Sequence, residues 1–444
     1  MGAKWLSLGN NSSFGESFGI IKTMTQQEAL EVLKLGYNVY LTGPAGSGKT
    51  FLLNQYVHFL KSQKVGVGIT ASTGIAATHM NGRTIHSWAG LGIKNEITAD
   101  YLKKLLKNVN FRMRFLSTKV LVIDEVSMLH SFRLDMVDKV CRAFKRSDLP
   151  FGGLQVILSG DFFQLPPVCK NGEDDSFINT SNAWRDMNIQ ICYLSEQFRQ
   201  QDNGFLNILN DIRAGEASDI SLGLLNGRFN QAITSKITPT KLYTHNVDVD
   251  AINNFELDKI NRKPKFFKMG QKGDSRLVET LKNGCLAPEE LILKKDAVVM
   301  FVKNNFDKGY VNGTIGKIIN FDSMGYPVVR TIKEKEILAS PASWTIEEND
   351  VIKAEINQIP LRLAWAITVH KSQGMSLDVA EIDLSKAFTF GMGYVALSRV
   401  RTLDGIKLMG LNDIALQVNK DVIDLDKQLY DLSLSLVSKL RQMN

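Results

Sequence analysis

Short apolar runs recur along this chain between stretches whose apolar residues fall at helical spacing. From Thr25 the pattern predicts a helix, a strand at Tyr37 to Leu41, a glycine-rich turn, a helix from Lys49 and a strand at Val65 to Thr70. Further strands are expected at Val120 to Ile123, ending in Asp124-Glu125, and at Leu154 to Ser159, ending in Gly160-Asp161. Strands alternating with helices predict an α/β fold with parallel sheets and ligands at the strand C-terminal ends. A second series is expected to start near Ile191 and to include Lys241 to Tyr243, Leu361 to Ala366 and Val379 to Leu384.

Two stretches break the rhythm. Ala89 to Leu116 carries Lys94, Lys103, Lys104, Lys107, Arg112 and Arg114 and reads as an inserted basic helix or hairpin. About 296 to 357 changes to short alternating strands with turn signals at Asn304-Asn305, Asn312-Gly313 and Met324-Gly325, which predicts a small β-barrel insert. Near the C-terminus Val422, Leu425, Leu429, Leu432, Leu436 and Leu440 mark one apolar helix face, expected to pack on the second sheet, with a dimerising coiled coil as the alternative. The division so predicted is a tail over 1–23, a first domain over 24–187 and a second over 188–444.

At 444 residues the chain is too long for one core. No apolar run approaches the ~20 residues that span a bilayer, so no membrane is expected. Cys141, Cys169, Cys192 and Cys285 form no C-x-x-C pair, which leaves neither a zinc site nor a disulfide framework and makes a reducing cytoplasm the default. A net charge of +7 favours an anionic partner without naming one.

The chemistry is carried by Gly43-Pro44-Ala45-Gly46-Ser47-Gly48-Lys49-Thr50, which fills the phosphate-loop pattern between a strand and a helix. Backbone N–H groups of such a loop wrap phosphates, and the following helix N-terminus adds favourable dipole charge. Lys49 is then expected to reach the outer phosphates and the Thr50 hydroxyl to hold Mg²⁺. Asp124 closes an apolar strand as a magnesium-binding carboxylate should, and Glu125 is placed to orient or deprotonate a water. Gln164, just past the next strand, offers a neutral amide to a γ-phosphate. Arg199, in Glu196-Gln197-Phe198-Arg199-Gln200, and Arg399, in Gly393-Tyr394-Val395-Ala396-Leu397-Ser398-Arg399, are candidate transition-state cations supplied by the second half.

Together these segments resemble those of superfamily 1B DNA helicases, and within them the Pif-type (petite-integration-frequency) group, related to the RecD helicases. The resemblance covers about Thr25 to Leu411. Its most specific part is Phe132 to Val168, with Arg142, Pro150-Phe151-Gly152-Gly153 and Gly160-Asp161-Phe162-Phe163-Gln164-Leu165-Pro166-Pro167. It implies two RecA-like domains with a helical or hairpin insert and an SH3-like barrel insert, ATP and Mg²⁺ as cofactors, and 5′→3′ movement on single-stranded DNA. It makes Gln26 the adenine-reading glutamine, with Gln27 one residue away and the spacing to Gly36 favouring Gln26. Without the long extensions of eukaryotic members, a minimal bacterial or phage type is expected.

The same resemblance assigns several polar loops to single-stranded DNA: Thr73 and Gly74, His86 and Ser87, Thr244, His245 and Asn246, and Thr368, His370 and Lys371. No carboxylate or thiol at metal spacing accompanies the histidines. Trp88 either stacks a base or packs inward. Gln373 and Gly374 are expected where strand and nucleotide sites meet. Implied partners are single-stranded DNA and duplex or G-quadruplex junctions, with the chain a monomer or a dimer on DNA. The basic insert is the candidate strand-separating wedge. An RNA helicase, or a binding module with a non-hydrolysing nucleotide site, are the rival readings.

Overall fold

Six strands, β1 (Val39–Thr42), β2 (Val67–Ala71), β3 (Arg83–Thr84), β4 (Val120–Asp124), β5 (Gln155–Ser159) and β6 (Gln190–Tyr193), make one sheet in the order β3-β2-β4-β5-β1-β6. All its pairings are parallel. Every residue of β1 and β4 is buried, which is why both read as unbroken apolar runs rather than as alternation. In the computed structural model the described residues are 23–443, apart from 93, 168–175, 201, 234–238, 246, 306, 311, 332–333 and 349–350. The expected tail, bar Thr23, therefore lies outside the described residues, as do Cys169, Asn246 and the end of the signature block at Val168.

Helices α1 (Gln26–Lys34), α2 (Lys49–Ser62), α3 (Gly74–His79), α4 (Ile85–Trp88), α5 (Ala99–Leu106), α6 (Val109–Ser117), α7 (Ser131–Lys145) and α8 (Asn182–Asp186) accompany this sheet. A capping box starts α1: the Thr25 hydroxyl accepts the Glu28 N–H, and the Glu28 carboxylate accepts the Thr25 N–H at 2.8 Å. α5 and α6 form the basic insert as a helical hairpin, each opened by a side-chain cap, Thr98 and Asn108.

Beyond β6, α9 (Asn203–Ala214) and α10 (Asp219–Asn226) lead to β7 (Thr240–Tyr243) and α11 (Val247–Asp258). A β-rich region follows: β8 (Lys265–Lys268), β9 (Gly270–Gly273), α12 (Ser275–Gly284), β10 (Glu290–Leu293), β11 (Val298–Phe301), β12 (Ile315–Phe321), β13 (Pro327–Thr331), β14 (Glu336–Leu338), β15 (Ala342–Glu348), β16 (Val351–Gln358) and β17 (Leu361–Leu363). The chain then returns through β18 (Ala366–Thr368), β19 (Ala380–Leu384), α13 (Met392–Ser398), β20 (Ile406–Leu411) and α14 (Lys420–Met443). The second parallel sheet has the order β18-β7-β19-β20.

Four expectations change. The strand near Ile191 does not open the second sheet; it pairs in parallel with β1, Val39 opposite Gln190, at the edge of the first. Leu361 to Ala366 is two strands: β17 pairs with β11 in the barrel sheet, and β18 pairs with β7 in the second parallel sheet. The β-rich insert is wider than 296–357, because β8 pairs with β10 and β9 with β16. The C-terminal helix packs on the first sheet, not the second. There the Ser433 hydroxyl accepts the β6 Tyr193 N–H at 3.0 Å, Arg441 pairs with Glu28 of α1 at 2.7 Å, and Val437 is buried among α1 and α2 residues such as Leu33 and Tyr56. α14 thus covers an otherwise open strand edge. Leu432, expected on the buried face, is 56% exposed, because that face is set by 422, 429, 433 and 437.

Candidate functional site

The order β4-β5-β1 sets three strand ends side by side, and each carries one part of the phosphate chemistry. The loop after β1 needs its glycines for space as well as for conformation. Gly43 has φ +137°, and a Cβ there would lie 2.1 Å from the Leu194 carbonyl oxygen. Gly46, at φ +89°, lets Arg199 approach so closely that a Cβ would meet Arg199 Cβ at 2.8 Å. Ser47 is buried, and Lys49 Nζ donates to the Gly43 and Pro44 carbonyls at 2.8 and 3.1 Å. Burial lowers the Lys49 pKa, opposed by the charges of Asp161 and Glu125.

Gln26 Nε2 donates to the Ser47 carbonyl at 3.3 Å, beside the loop, whereas Gln27 is exposed and bonds Glu31 one turn along α1. Of the two, Gln26 lies at the nucleotide loop.

Asp124 ends β4 at 6% exposure, its carboxyl pushed up by burial and eased by the Glu125 N–H, which it accepts at 2.9 Å, by the Lys49 charge and by Thr50. One buried carboxylate with the phosphate-loop threonine at its side is the donor set a Mg²⁺ shared with phosphates requires, since that ion keeps most of its ligands as water and phosphate oxygen. The residues present therefore fit the ion. Among the described residues no cluster of three or more His, Cys, Asp or Glu offers a second metal position.

Glu125 sits in the left-handed region, φ 53°, its carbonyl accepting the Ser72 hydroxyl at 2.6 Å. Burial first, and then the Asp124 charge, push its carboxyl up to about 7. A carboxylate near neutrality suits proton acceptance from water. Gln164 is buried with its Oε1 unpartnered, and Gln373 is buried with its Nε2 unpartnered. Most buried polar atoms have a partner, and both of these glutamines line the cleft.

The two arginines reach the cleft by different routes. Arg399 caps α13 at 2% exposure, its guanidinium donating to Val395 O and Ser398 Oγ, both at 2.9 Å. Arg199 was expected to come from the second sheet. Its segment instead follows β6 and is tied to the phosphate loop, Phe198 N–H donating to Gly46 O at 3.0 Å. Arg199 crosses to the second half only through its side chain, which donates to the Ser398 carbonyl at 3.0 Å. Burial, then the Arg399 charge, lowers the Arg199 pKa to about 9.

One cleft of about 790 Å³ is lined by Ala45, Gly46, Gly48, Lys49, Thr50, Asp124, Glu125, Gln164, Arg199, Gly374 and Arg399. Thr73, Thr244, His245, Thr368, His370 and Lys371 line the same cleft. Gly43, Pro44 and Ser47 shape the loop without lining it. Gly74, His86 and Ser87 do not line it either. Gly74 packs against Gly284 of α12, where a Cβ would meet Gly284 Cα at 2.5 Å. His86 is held neutral, its pKa lowered to about 4 by burial and then by Arg133. Trp88 is a core residue at 2% exposure, 4.6 Å from the Phe115 ring, so inward packing is its role.

Sequence reasoning missed Phe388. Its ring, 54% exposed, lies 5.1 Å from His245 and 6.1 Å from His370, uniting loops that follow β7 and β18. The aromatic pair Phe388 and Phe390 in a loop after a strand was the available signal. Arg362 of β17 was missed too; it lies close enough to Lys371 to depress that lysine's pKa, after burial.

Two parallel sheets that share a phosphate loop, an acid pair and an arginine from each half define a two-domain nucleotide-hydrolysing motor of the phosphate-loop class. The PIF1-like helicase family model matches residues 21–223, and the DNA helicase Pif1 2B-domain model matches 276–321. The chain is 43% identical to the ATP-dependent DNA helicase Pif1 of Psychrobacter sp. (strain PRwf-1), over 93% of this chain and 71% of that protein. It is 36% identical to the ATP-dependent DNA helicase PIF1 of Xenopus laevis, over 92% of this chain but 65% of that protein's length. Among solved structures, Bacteroides sp Pif1 in complex with ADP-AlF4 superposes with TM-score 0.79 at 30% identity, covering 91% of this chain and 96% of that one. Bacteroides Pif1 bound to ssDNA superposes at 0.61, with the same identity and coverage. The chain belongs to the PIF1-like helicase family.

Proposed function

We propose that this chain is an ATP-dependent DNA helicase that moves 5′→3′ along single-stranded DNA and opens duplex ahead of it. The observation that carries the reading is the shared cleft: Lys49, Glu125, Arg199 and Arg399 line the same space as His245, His370 and Lys371. This places the nucleotide and strand groups side by side, as coupling between them requires. Relatives named as ATP-dependent DNA helicases, and a solved relative bound to ssDNA, support it.

In this reading Lys49 and the loop N–H groups bind the outer phosphates, and Gln26 reads the base. Asp124 and Thr50 would hold Mg²⁺, which would neutralise phosphate charge. Glu125 accepts the proton of the attacking water, Gln164 orients that water, and Arg199 and Arg399 stabilise the charge on the transferred phosphoryl group. Because Arg399 rides on the second sheet, hydrolysis requires the two halves to close. His245, His370 and Phe388 stack bases without sequence preference, each stacked base contributing ~1–3 kcal/mol. Separating duplex costs about 1.4 kcal/mol per step, which one hydrolysis cycle covers. The hairpin α5–α6, with Lys103, Lys104 and Lys107 exposed, is the wedge. The chain works as a monomer on single-strand to duplex junctions, G-quadruplex junctions included.

Strand displacement on matched 5′-tailed and 3′-tailed duplexes tests this. The 5′-tailed substrate alone should open, and Glu125→Gln should bind ATP yet open neither. Opening of only the 3′-tailed substrate would reverse the polarity. ATPase stimulation by RNA as strong as by matched DNA would favour the RNA reading.

A further inference from the structure

The phosphate loop is wired to the second sheet through one hydroxyl. Tyr394 Oη accepts the backbone N–H of Ala45 at 2.9 Å and donates to Asp161 Oδ2 at 3.3 Å. Asp161 follows β5, and its other oxygen accepts Arg213 Nη1 at 2.8 Å. Arg213, on α9, also donates to Tyr394 Oη at 3.2 Å, to Tyr193 Oη at 3.1 Å and to Asp426 of α14 at 3.1 Å. Its guanidinium lies 4.1 Å from the centre of the Phe163 ring. Tyr394, Asp161 and Arg213 are 1%, 0% and 7% exposed.

Every lone pair and proton of the Tyr394 hydroxyl is thus engaged: Ala45 and Asp161 follow strands of the first sheet, and Arg213 is on α9, which packs against α13. The residue itself belongs to α13, all seven residues of which are buried, and α13 ends at Arg399. Tyr394 and Arg399 are thus carried by one short buried helix and its C-cap. Its N-cap Gly391 is pressed to the Gln164 segment, where a Cβ would meet Phe163 O at 2.4 Å. Burial, then the Asp161 charge, pushes the Tyr394 hydroxyl up to about 12, so it stays a donor at neutral pH.

We infer that Tyr394 is a positioning residue that ties the shape of the phosphate loop to closure of the two halves, so that opening the cleft loosens the grip on ADP. The inference rests on the nucleotide reading above and deepens it. When α13 withdraws, the Ala45 N–H and Asp161 Oδ2 each lose a buried partner, and the loop loses the brace at its third residue. Arg213 then sets the strength of the coupling, because it holds Asp161 and Tyr394 in one geometry.

The test is Tyr394→Phe, which keeps the ring and removes the hydroxyl. Dissociation of a fluorescent ADP analogue with Mg²⁺, followed by stopped flow, should accelerate about fivefold to tenfold, the range expected for one hydrogen bond. kcat/KM for ATP should fall by a similar factor while kcat at saturation does not fall, and the melting temperature should hold. Arg213→Lys should act in the same direction, and the double variant should be no worse than the more affected single one. Unchanged ADP dissociation in folded Tyr394→Phe overturns the inference. So does a loss of kcat with ADP affinity intact, which would make Tyr394 part of the γ-phosphate site. Failure of the unaltered protein to bind the ADP analogue would overturn the nucleotide reading itself and this inference with it.

Discussion

Replacing Arg399 by alanine is the sharpest single perturbation of this site. The side chain is 2% exposed, and the Glu125 charge is the largest influence opposing the burial that lowers its pKa. A guanidinium placed at a transferring phosphoryl group contributes about 10³ to 10⁵ in kcat. At about 1.36 kcal/mol per decade, that corresponds to ~4–7 kcal/mol of transition-state stabilisation. Two features place this case near the lower end. Arg199 stands beside it, with Ser398 accepting from both side chains, and the two like charges repel. Removing Arg399 relieves Arg199, which then covers part of the lost charge. We expect Arg399→Ala to lower DNA-stimulated kcat by about 10³, and Arg199→Ala by a similar factor. The double variant should lose less than the product of the two. Arg399→Lys should recover about tenfold, since it keeps the charge but loses the fork. Single-strand affinity, read by fluorescence anisotropy, should change by no more than about threefold. The assay is steady-state phosphate release at saturating ATP and oligonucleotide, with melting temperature measured in parallel. A folded Arg399→Ala with kcat within about tenfold of the unaltered protein would refute the assignment. Fully multiplicative losses would refute the shared phosphate.

Lys371→Ala should weaken single-strand binding and flatten its log–log salt dependence by about 0.7, one phosphate contact, while Phe388→Ala should lose ~1–3 kcal/mol of binding with the salt slope unchanged; anisotropy titrations over a salt series separate the two. Leu429→Ala, on the buried face of α14 one turn before Ser433, should cost ~2–5 kcal/mol in urea unfolding. A cost below ~0.5 kcal/mol, the level of a neutral surface change, would mean that the helix is not seated on β6. His86 is kept neutral in the fold, its pKa lowered from 6.5 to about 4, so the unfolded chain binds the proton more readily. Stability should therefore be full above pH 6.5 and decline as pH falls toward about 4, and His86→Gln should lessen that acid-side slope in melting experiments.

The local chemistry of the site is readable from the order of residues alone. Gly43 to Thr50 is legible because a phosphate loop needs particular residues at fixed neighbouring positions. Asp124-Glu125 and Gln164 are legible because they follow apolar runs that had to be buried strands. Those same strands lie adjacent in the sheet, as parallel α/β rules require. Arg399 was found by its motif, as was the helical insert by its interrupted rhythm.

Which sheet each remaining piece joins emerges only from the folded chain. The run at Ile191 is apolar whichever sheet it edges, and periodicity carries no information about a partner strand. The apolar face of α14 likewise predicts burial but not its destination; the Tyr193 N–H at an open edge, and Glu28 on α1, settle that. Arg199 and Arg399 look alike in sequence, yet one is fastened to the phosphate loop and the other travels with α13. Phe388 becomes visible only where two loops, far apart in the chain, bring histidines to its ring. Short-range pattern fixes residue type and element, because backbone geometry and burial act locally. Pairing between distant segments depends on complementary surfaces, and those exist only once the chain has folded.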